Sequence, residues 1–220
     1  MGSYGAKVSI QLQHAGPEGN SKLTGYPLKA ASAIAPSAGR EIPEAMPTEE
    51  VYRLIECYGD AARRAQLAGI DMVEVHCAHG YLVSTFISAR TNKRTDEFGG
   101  CFENRMRLPR LIIENIRKKT GGNMPILCRI NARDEGDGGV DVHDAAAIAA
   151  YLYLQRLTRW GAEPPARAGE LAQKAKFSPH TLTAEERDAV VRAARAAAEA
   201  VDKSLPWWKR FAFRYLLGLY

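Results

Sequence analysis

Residues 76–107 read HCAHGYLVSTFISARTNKRTDEFGGCFENRMR, and most of what can be inferred about this chain starts from them. The stretch follows an apolar run at residues 72–75 that predicts a strand, and it leads into a helix predicted over residues 102–120. His76 therefore stands at a strand end. In α/β barrels the catalytic groups lie at the carboxyl ends of the strands. His76, His79 and Tyr81 are accordingly candidate catalytic residues.

The flanking sequence predicts an alternation of strands and helices. Residues 7–13 and 125–131 have the pattern of strands, and residues 141–157 that of an Ala-rich helix. A further helix is predicted from an N-cap at Thr48 to Gly69, with one apolar face: Val51, Leu54, Ile55, Tyr58 and Ala62. The alternation is typical of parallel α/β units. Because no GxGxxG follows the first strand, an α/β barrel is favoured over a dinucleotide-binding fold.

The spacing of the two histidines predicts a bend. On a continuous strand His76 and His79 would point to opposite faces, so the chain must turn to present both, and Gly80 makes a turn easy. Two imidazole N–H groups can stabilise negative charge on a carbonyl oxygen, and the phenol of Tyr81 can donate a proton. A metal site is the alternative, but it needs further ligands at spacings that this sequence does not show.

The same stretch resembles the Old Yellow Enzyme family. That family's motif is H-x-x-H/N-G-Y followed by F-L-S-x-x-x-N-x-R-x-D-x-[YF]-G-G-x-x-x-N-R, and almost every position matches. The sequence QLQHAG at residues 11–16 resembles the family's third strand, and CRIN at residues 128–131 resembles its fifth. The resemblance covers residues 1–150.

The resemblance implies an FMN-dependent oxidoreductase of the ene-reductase type, which takes hydride from NAD(P)H and delivers it through flavin to a small molecule with an activated C=C bond. His76 and His79 would hold the substrate carbonyl, and Tyr81 would donate the proton. Gln11 and Arg129 match positions that contact FMN. For Arg129 the alternative is a structural ion pair with Glu74 or Asp71.

Other polar residues of the motif are assigned to the scaffold. His14 is expected to support the site rather than to act in it. Loop and cap contacts are the expected role of Asn92, Arg94, Asp96, Asn104 and Arg105.

The chain also departs from the family. Pro17 stands where the family usually has Arg after HAG, which puts affinity for flavin or substrate in doubt. About three βα units are recognisable, so the expected fold is a partial TIM (β/α) barrel, and the strands that hold the FMN phosphate are expected to be missing. We expect a truncated or fused family member whose open sheet edges favour poor stability, self-association or cover by the C-terminal helices.

The charge distribution divides the chain. Residues 1–150 hold 18 basic and 18 acidic side chains, whereas residues 151–220 hold 12 and 7. We therefore expect a barrel region at residues 1–157 and an unassigned basic helical tail at residues 158–220. In the tail, Thr183 and Glu186 form a capping-box signal for a helix to about Val201.

The last segment, WWKRFAFRYLLGLY at residues 207–220, has an aromatic face and a basic face. Packing onto the rest of the chain is favoured over contact with a membrane surface, and no motif favours nucleic acid. The alternative function for the whole chain is a catalytically silent partial barrel that acts as an interaction module through this tail.

A cytoplasmic location is expected, because the start of the chain lacks the pattern of a signal peptide. The cysteines Cys57, Cys77, Cys101 and Cys128 are scattered without a CxxC pair. We expect them to be small buried hydrophobic residues.

Overall fold

A parallel sheet lies at the centre of the described part of the chain. The computed structural model describes residues 5–134 and 136–157, together with isolated positions between 185 and 203. The strands of these residues are β1 (Ser9–Leu12), β2 (Lys29–Ala30), β3 (Glu44–Ala45), β4 (Met72–Cys77) and β5 (Ile126–Ile130). The helices are α1 (Ser21–Thr24), α2 (Thr48–Leu67), α3 (Leu82–Ile87), α4 (Phe102–Lys119) and α5 (Val142–Leu157), with a 3-10 turn at Gly16–Glu18.

The central sheet has the order β1-β4-β5, and both strand pairs are parallel. Parallel neighbours require a crossover connection, usually a helix. Helix α2 precedes β4 and helix α4 connects β4 to β5. The predicted alternation of strands and helices is therefore confirmed, and the fold is α/β with parallel strands. No helix among the described residues is long and apolar enough to cross a membrane.

The two faces of the sheet differ in polarity. Val73 and Val75 are fully buried in the core that α2 and α4 cover. Since side chains alternate along a strand, Glu74 and His76 point to the opposite face. The register places Gln11 beside Glu74 and Arg129 beside His76. The face turned away from the helices thus carries the polar residues that the resemblance assigned to the site.

Helix α2 buries the predicted stripe. Val51, Ile55, Tyr58 and Ala62 are buried, and Leu54 is half-buried against the core. The prediction that Thr48 caps this helix is wrong. Pro47 occupies the cap position, and the Thr48 hydroxyl instead donates a hydrogen bond to the Asp96 carboxylate at 2.6 Å.

Four short elements differ from what the sequence predicted. The region between the 3-10 turn and α2, expected to be a loop, holds α1 and the small parallel sheet β2-β3. The short helix α3 was also not predicted, because six residues are too few to show a helical period. Its residues are all buried.

The prediction that the cysteines are buried holds at two positions and in part at a third. Cys77 and Cys101 are buried and Cys128 is half-buried, but Cys57 is exposed on α2, so the prediction is wrong there. Burial raises the pKa of the Cys128 thiol to about 12. This thiol is therefore protonated at neutral pH and behaves as a small apolar group.

Much of the predicted tail lies outside the described residues. The described positions between 185 and 203 are helical, in agreement with the predicted capping-box helix. The aromatic and basic segment at residues 207–220, and the membrane or packing role expected of it, lie outside the described residues.

Candidate active site

The predicted bend follows β4. This strand ends at Cys77, and Tyr81 occupies the cap position before α3. Between them His79 has φ 60° and Gly80 has φ 73°. A left-handed conformation is strained for a residue with a side chain. The chain therefore uses a strained residue, and not only the glycine, to turn at this point.

The turn brings the three predicted catalytic side chains together. The ring centroids of His76 and His79 are 5.0 Å apart with an interplanar angle of 75°. Those of His76 and Tyr81 are 4.9 Å apart at 64°. Both are edge contacts in which His76 is the shared ring. The two imidazoles and the phenol thus form one cluster at the carboxyl end of the central strand.

A side chain that the sequence analysis did not single out holds the turn. The Oδ1 atom of Asn131 accepts a hydrogen bond from the backbone N–H of His79 at 2.8 Å. Its amide nitrogen donates to the Asp134 carboxylate and, at 3.4 Å, to the Ser84 hydroxyl. Asn131 directly follows β5 and is the last residue of the CRIN stretch. Its place at a strand end was the available signal.

The HAG sequence after β1 supports the same turn from the other side. The carbonyl of His14 accepts a hydrogen bond from the backbone N–H of Leu82, the first residue of α3, at 3.1 Å. Gly16 has φ 60°, and a Cβ there would lie 2.7 Å from the Leu82 nitrogen. Any other residue would collide with this backbone. His14 itself accepts from the Gly16 N–H through Nδ1 at 3.0 Å, as expected of a supporting residue.

His76 is the buried member of the cluster. His76 is only 3% exposed, and its Nδ1 atom has no hydrogen-bond partner among the described residues. Burial lowers the pKa of His76, and the nearby His79 and Arg129 lower it further, against the opposite effect of Glu74. The ring is therefore held neutral at neutral pH. A buried polar atom without a partner is rare and calls for a ligand or water.

Gln11 and Arg129 meet at Glu74. The Gln11 amide donates a hydrogen bond to the Glu74 carboxylate, and Arg129 Nε donates to it at 2.8 Å. These hydrogen bonds, from Arg129 first and Gln11 second, lower the pKa of Glu74. The ion pair considered as the alternative for Arg129 is thus present with Glu74, whereas Asp71 pairs with Lys7 at 2.8 Å.

The residues assigned to the scaffold make scaffold contacts. The Asn92 amide donates to the carbonyls of Phe86 and Phe98, both at 2.7 Å. Arg105, a buried residue, donates to the carbonyls of Ile87 and Gly100. These contacts connect α3 to the loop before α4 and so fix the far end of the element that begins at Tyr81. The scaffold assignment is confirmed for these residues.

A parallel α/β sheet with an imidazole pair and a phenol at its carboxyl edge defines a class of protein with an enzyme-like site. Similarity to known proteins identifies the family. The chain belongs to the NADH:flavin oxidoreductase / NADH oxidase family, whose model matches residues 2–201. The resemblance drawn from the sequence is therefore confirmed. The match extends beyond residue 157, and the domain boundary predicted there stays a prediction.

Individual relatives agree with the family. The chain is 42% identical to the NADPH dehydrogenase of Halalkalibacterium halodurans over 153 residues, which are 70% of this chain and 44% of that protein. Among solved structures, the old yellow enzyme homologue from Zymomonas mobilis has a TM-score of 0.58 and 32% identity, over 67% of this chain and 46% of that one. Morphinone reductase in complex with tetrahydroNAD has a TM-score of 0.60 and 31% identity, over 68% and 45%.

The chain thus spans less than half the length of these relatives. Membership of the family implies FMN as cofactor and NADH or NADPH as reductant. The structural neighbours are TIM-barrel enzymes, which agrees with the α/β fold and parallel strands described above.

Proposed function

We propose that this chain carries the substrate side of an FMN-dependent ene-reductase, in which hydride from NAD(P)H passes through flavin to an activated C=C bond. The observation that carries the proposal is the ring cluster of His76, His79 and Tyr81. It lies at the carboxyl end of β4, it includes a strained residue, and its buried His76 Nδ1 atom has no hydrogen-bond partner in the described part of the chain. Strain and unmet hydrogen bonds cluster at functional sites.

The polar face of the sheet fits the cofactor that the family implies. Gln11 and Arg129 lie on the same face as His76, and the Arg129 side chain is 49% exposed although it bonds Glu74. We propose that both contact FMN, with the Arg129 cation at the ring edge where reduction places negative charge. When bound, FMN supplies the hydride that it has taken from NAD(P)H. Glu74 orients both side chains through the hydrogen bonds described above.

The histidines would bind and polarise the substrate carbonyl. His76 is held neutral, so one of its nitrogens can donate a hydrogen bond without a competing charge, and His79 offers a second donor at the edge of the same ring. Donors that are fixed in place stabilise the charge that develops on a carbonyl oxygen when hydride is added at the β-carbon. Tyr81 would supply the proton at the α-carbon.

The fold that carries these residues is proposed to be a partial barrel. Residues 1–157 would form about three βα units of a TIM barrel, and residues 158–220 a separate basic helical tail. The support is the parallel order β1-β4-β5 together with the share of the relatives that the chain covers.

Flavin binding is the first test. The purified full-length chain is incubated with FMN, freed of unbound flavin, and its visible spectrum is recorded before and after anaerobic addition of NADPH or NADH. We expect flavin bands that the reduced nicotinamide bleaches. A chain that stays colourless after incubation would contradict the proposal and favour the alternative, a catalytically silent partial barrel.

Substitutions then test the assigned roles. We expect His76→Ala to weaken the binding of a phenol such as 4-hydroxybenzaldehyde by about ten- to a hundredfold, the effect of losing a strong hydrogen bond. His143→Ala, at an exposed position of α5, is the matched control and should leave the affinity for the phenol unchanged. Tyr81→Phe should slow reduction of an enone while flavin reduction by NADPH keeps its rate. Equal phenol affinity in the His76 and His143 variants would remove His76 from the site.

A further inference from the structure

An open cleft adjoins the ring cluster on the side of His79. Its volume is about 430 Å³, and its wall includes His79, Asn131, Arg90, Arg133, Glu18 and Asp134. Ligand sites typically have volumes of roughly 300–1,000 Å³. The cleft therefore has room for the part of a molecule that extends beyond a carbonyl held at His79.

Arg90 in this wall has no ion pair or side-chain hydrogen bond among the described residues. Its Nε atom is buried and has no hydrogen-bond partner among the described residues. A Cβ placed on Gly136 would lie 3.4 Å from the Arg90 Cδ, so the stem of the side chain packs close to the backbone there. A guanidinium whose buried N–H lacks a partner is costly, and such a group calls for an anion or water.

The acidic groups of the cleft are already engaged, whereas the arginines are not. Glu18 pairs with Arg40 at 3.2 Å. The Asp134 carboxylate accepts hydrogen bonds from the Asn131 amide and the backbone N–H of Val140. Arg133 is exposed and, within the described ranges 5–134 and 136–157, has no ion pair or side-chain hydrogen bond. Among the described residues, the cleft thus offers two guanidinium groups without an ion-pair partner and no carboxylate without one.

We propose that this cleft is an anion subsite, in which Arg90 and Arg133 bind a carboxylate or phosphate group of the molecule whose carbonyl oxygen is held at His76 and His79. Guanidinium groups bind both anions through paired N–H donors. The inference rests on the proposed function for the carbonyl end only. The anion belongs either to an unsaturated carbonyl substrate or to the phosphates of the nicotinamide reductant.

Inorganic phosphate tests the subsite without flavin or turnover. Its binding to the full-length chain is measured by calorimetry for the unmodified protein and for Arg90→Gln and Arg133→Gln. We expect each variant to bind phosphate about tenfold more weakly, as loss of one charged hydrogen bond implies. Arg110→Gln is the control, because Arg110 pairs with Glu114 on the surface of α4. Equal phosphate affinity in all three variants would overturn the subsite.

Since Arg133 is exposed, its variant keeps the test decisive if Arg90→Gln fails to fold. Arg90→Lys is a second choice, because it keeps the charge and loses the planar fork. We expect it to bind phosphate more weakly than the unmodified protein and more tightly than Arg90→Gln.

A pair of enones and a pair of reductants then identify the source of the anion. If the substrate carries it, 3-oxocyclohex-1-ene-1-carboxylate binds about tenfold more tightly than cyclohex-2-enone, and both arginine variants abolish the difference. If the reductant carries it, the two enones bind with equal affinity. The arginine variants then bind NADPH more weakly but bind the uncharged 1-benzyl-1,4-dihydronicotinamide as tightly as the unmodified protein does. Variants that change neither pair overturn the proposal. A further outcome separates the two proposals. If the unmodified protein binds neither enone but still binds phosphate through the two arginines, the proposed function is refuted and the anion subsite is retained.

Discussion

The turn at residues 76–81 and the loop at residues 92–101 flank the same short helix, but they satisfy their polar groups to different degrees. In the loop, Arg94 donates to Asp96, to Thr48 and to two backbone carbonyls. In the turn, His76 Nδ1 has no partner among the described residues, and His79 is held in a left-handed conformation. Departures from local rules are expected at functional sites. The difference separates residues that build the fold from the residues that we propose to bind a ligand.

The loop side of this comparison predicts the largest change in stability. Asn92→Ala removes both amide hydrogen bonds to the carbonyls of Phe86 and Phe98 in a buried position. Each buried group left without a partner costs about 1–3 kcal/mol, so we expect the free energy of unfolding to fall by about 3 kcal/mol. Urea unfolding followed by circular dichroism measures this change.

The control is Asn123→Ala, the same substitution at an exposed residue before β5. It should change the free energy of unfolding by less than about 0.5 kcal/mol. If both variants lost the same free energy of unfolding, the buried hydrogen bonds of Asn92 would not stabilise the loop.

The acid sensitivity of the loop is the next effect in size. Burial raises the pKa of Asp96, but hydrogen bonds from Arg94, Thr48 and the Phe98 N–H outweigh it and hold the pKa at about 2. Because this pKa lies below the unfolded value of about 3.9, the carboxylate stabilises the fold above pH 4 and loses that effect as the pH falls toward 2. The contribution is about 2 kcal/mol.

The measurement compares the unmodified protein with Asp96→Asn between pH 5 and pH 2. We expect their difference in unfolding free energy to shrink as the pH falls. Asp137→Asn is the matched control, since Asp137 is exposed and has no hydrogen bond or ion pair within the described ranges. A difference between Asp96→Asn and the unmodified protein that stayed constant over this range would show that the loop does not depend on the Asp96 charge.

The sequence predicts the secondary structure and the ring cluster, but not the long-range contacts of individual side chains. The strands, the long helices and the clustering of His76, His79 and Tyr81 follow from periodicity, strand ends and one specific motif. The contact of Asn131 with the His79 backbone does not, because it joins residues 52 positions apart across two strands. The lack of a partner for the Arg90 Nε atom within the described ranges also has no sequence signal, since it depends on which groups the fold brings near.

Strain in the turn predicts a smaller effect of unusual sign. His79 at φ 60° costs about 1 kcal/mol relative to glycine, which offsets the flexibility that glycine adds to the unfolded chain. We expect His79→Gly to leave thermal stability unchanged or to raise it slightly while it weakens phenol binding. His143→Gly, within α5, should lower stability by about 0.5 kcal/mol. Equal losses in the two variants would mean that the turn stores no strain.

The smallest effect is the titration of His76, and it tests whether the turn is prepared for a ligand. Burial, His79 and Arg129 lower the pKa of His76. The unfolded chain therefore binds this proton more readily, and the stability contributed by the neutral ring is complete above the unfolded pKa of about 6.5 and is lost as the pH falls below it. We expect the ring signal of His76 in an NMR titration to have its midpoint below 6.5. His79→Asn should move that midpoint upward because His79 is one of the groups that lower the pKa of His76. A midpoint at or above 6.5 that is unchanged by the His79 substitution would show that the two rings do not share one electrostatic environment. The turn would then differ from the loop only in its backbone strain.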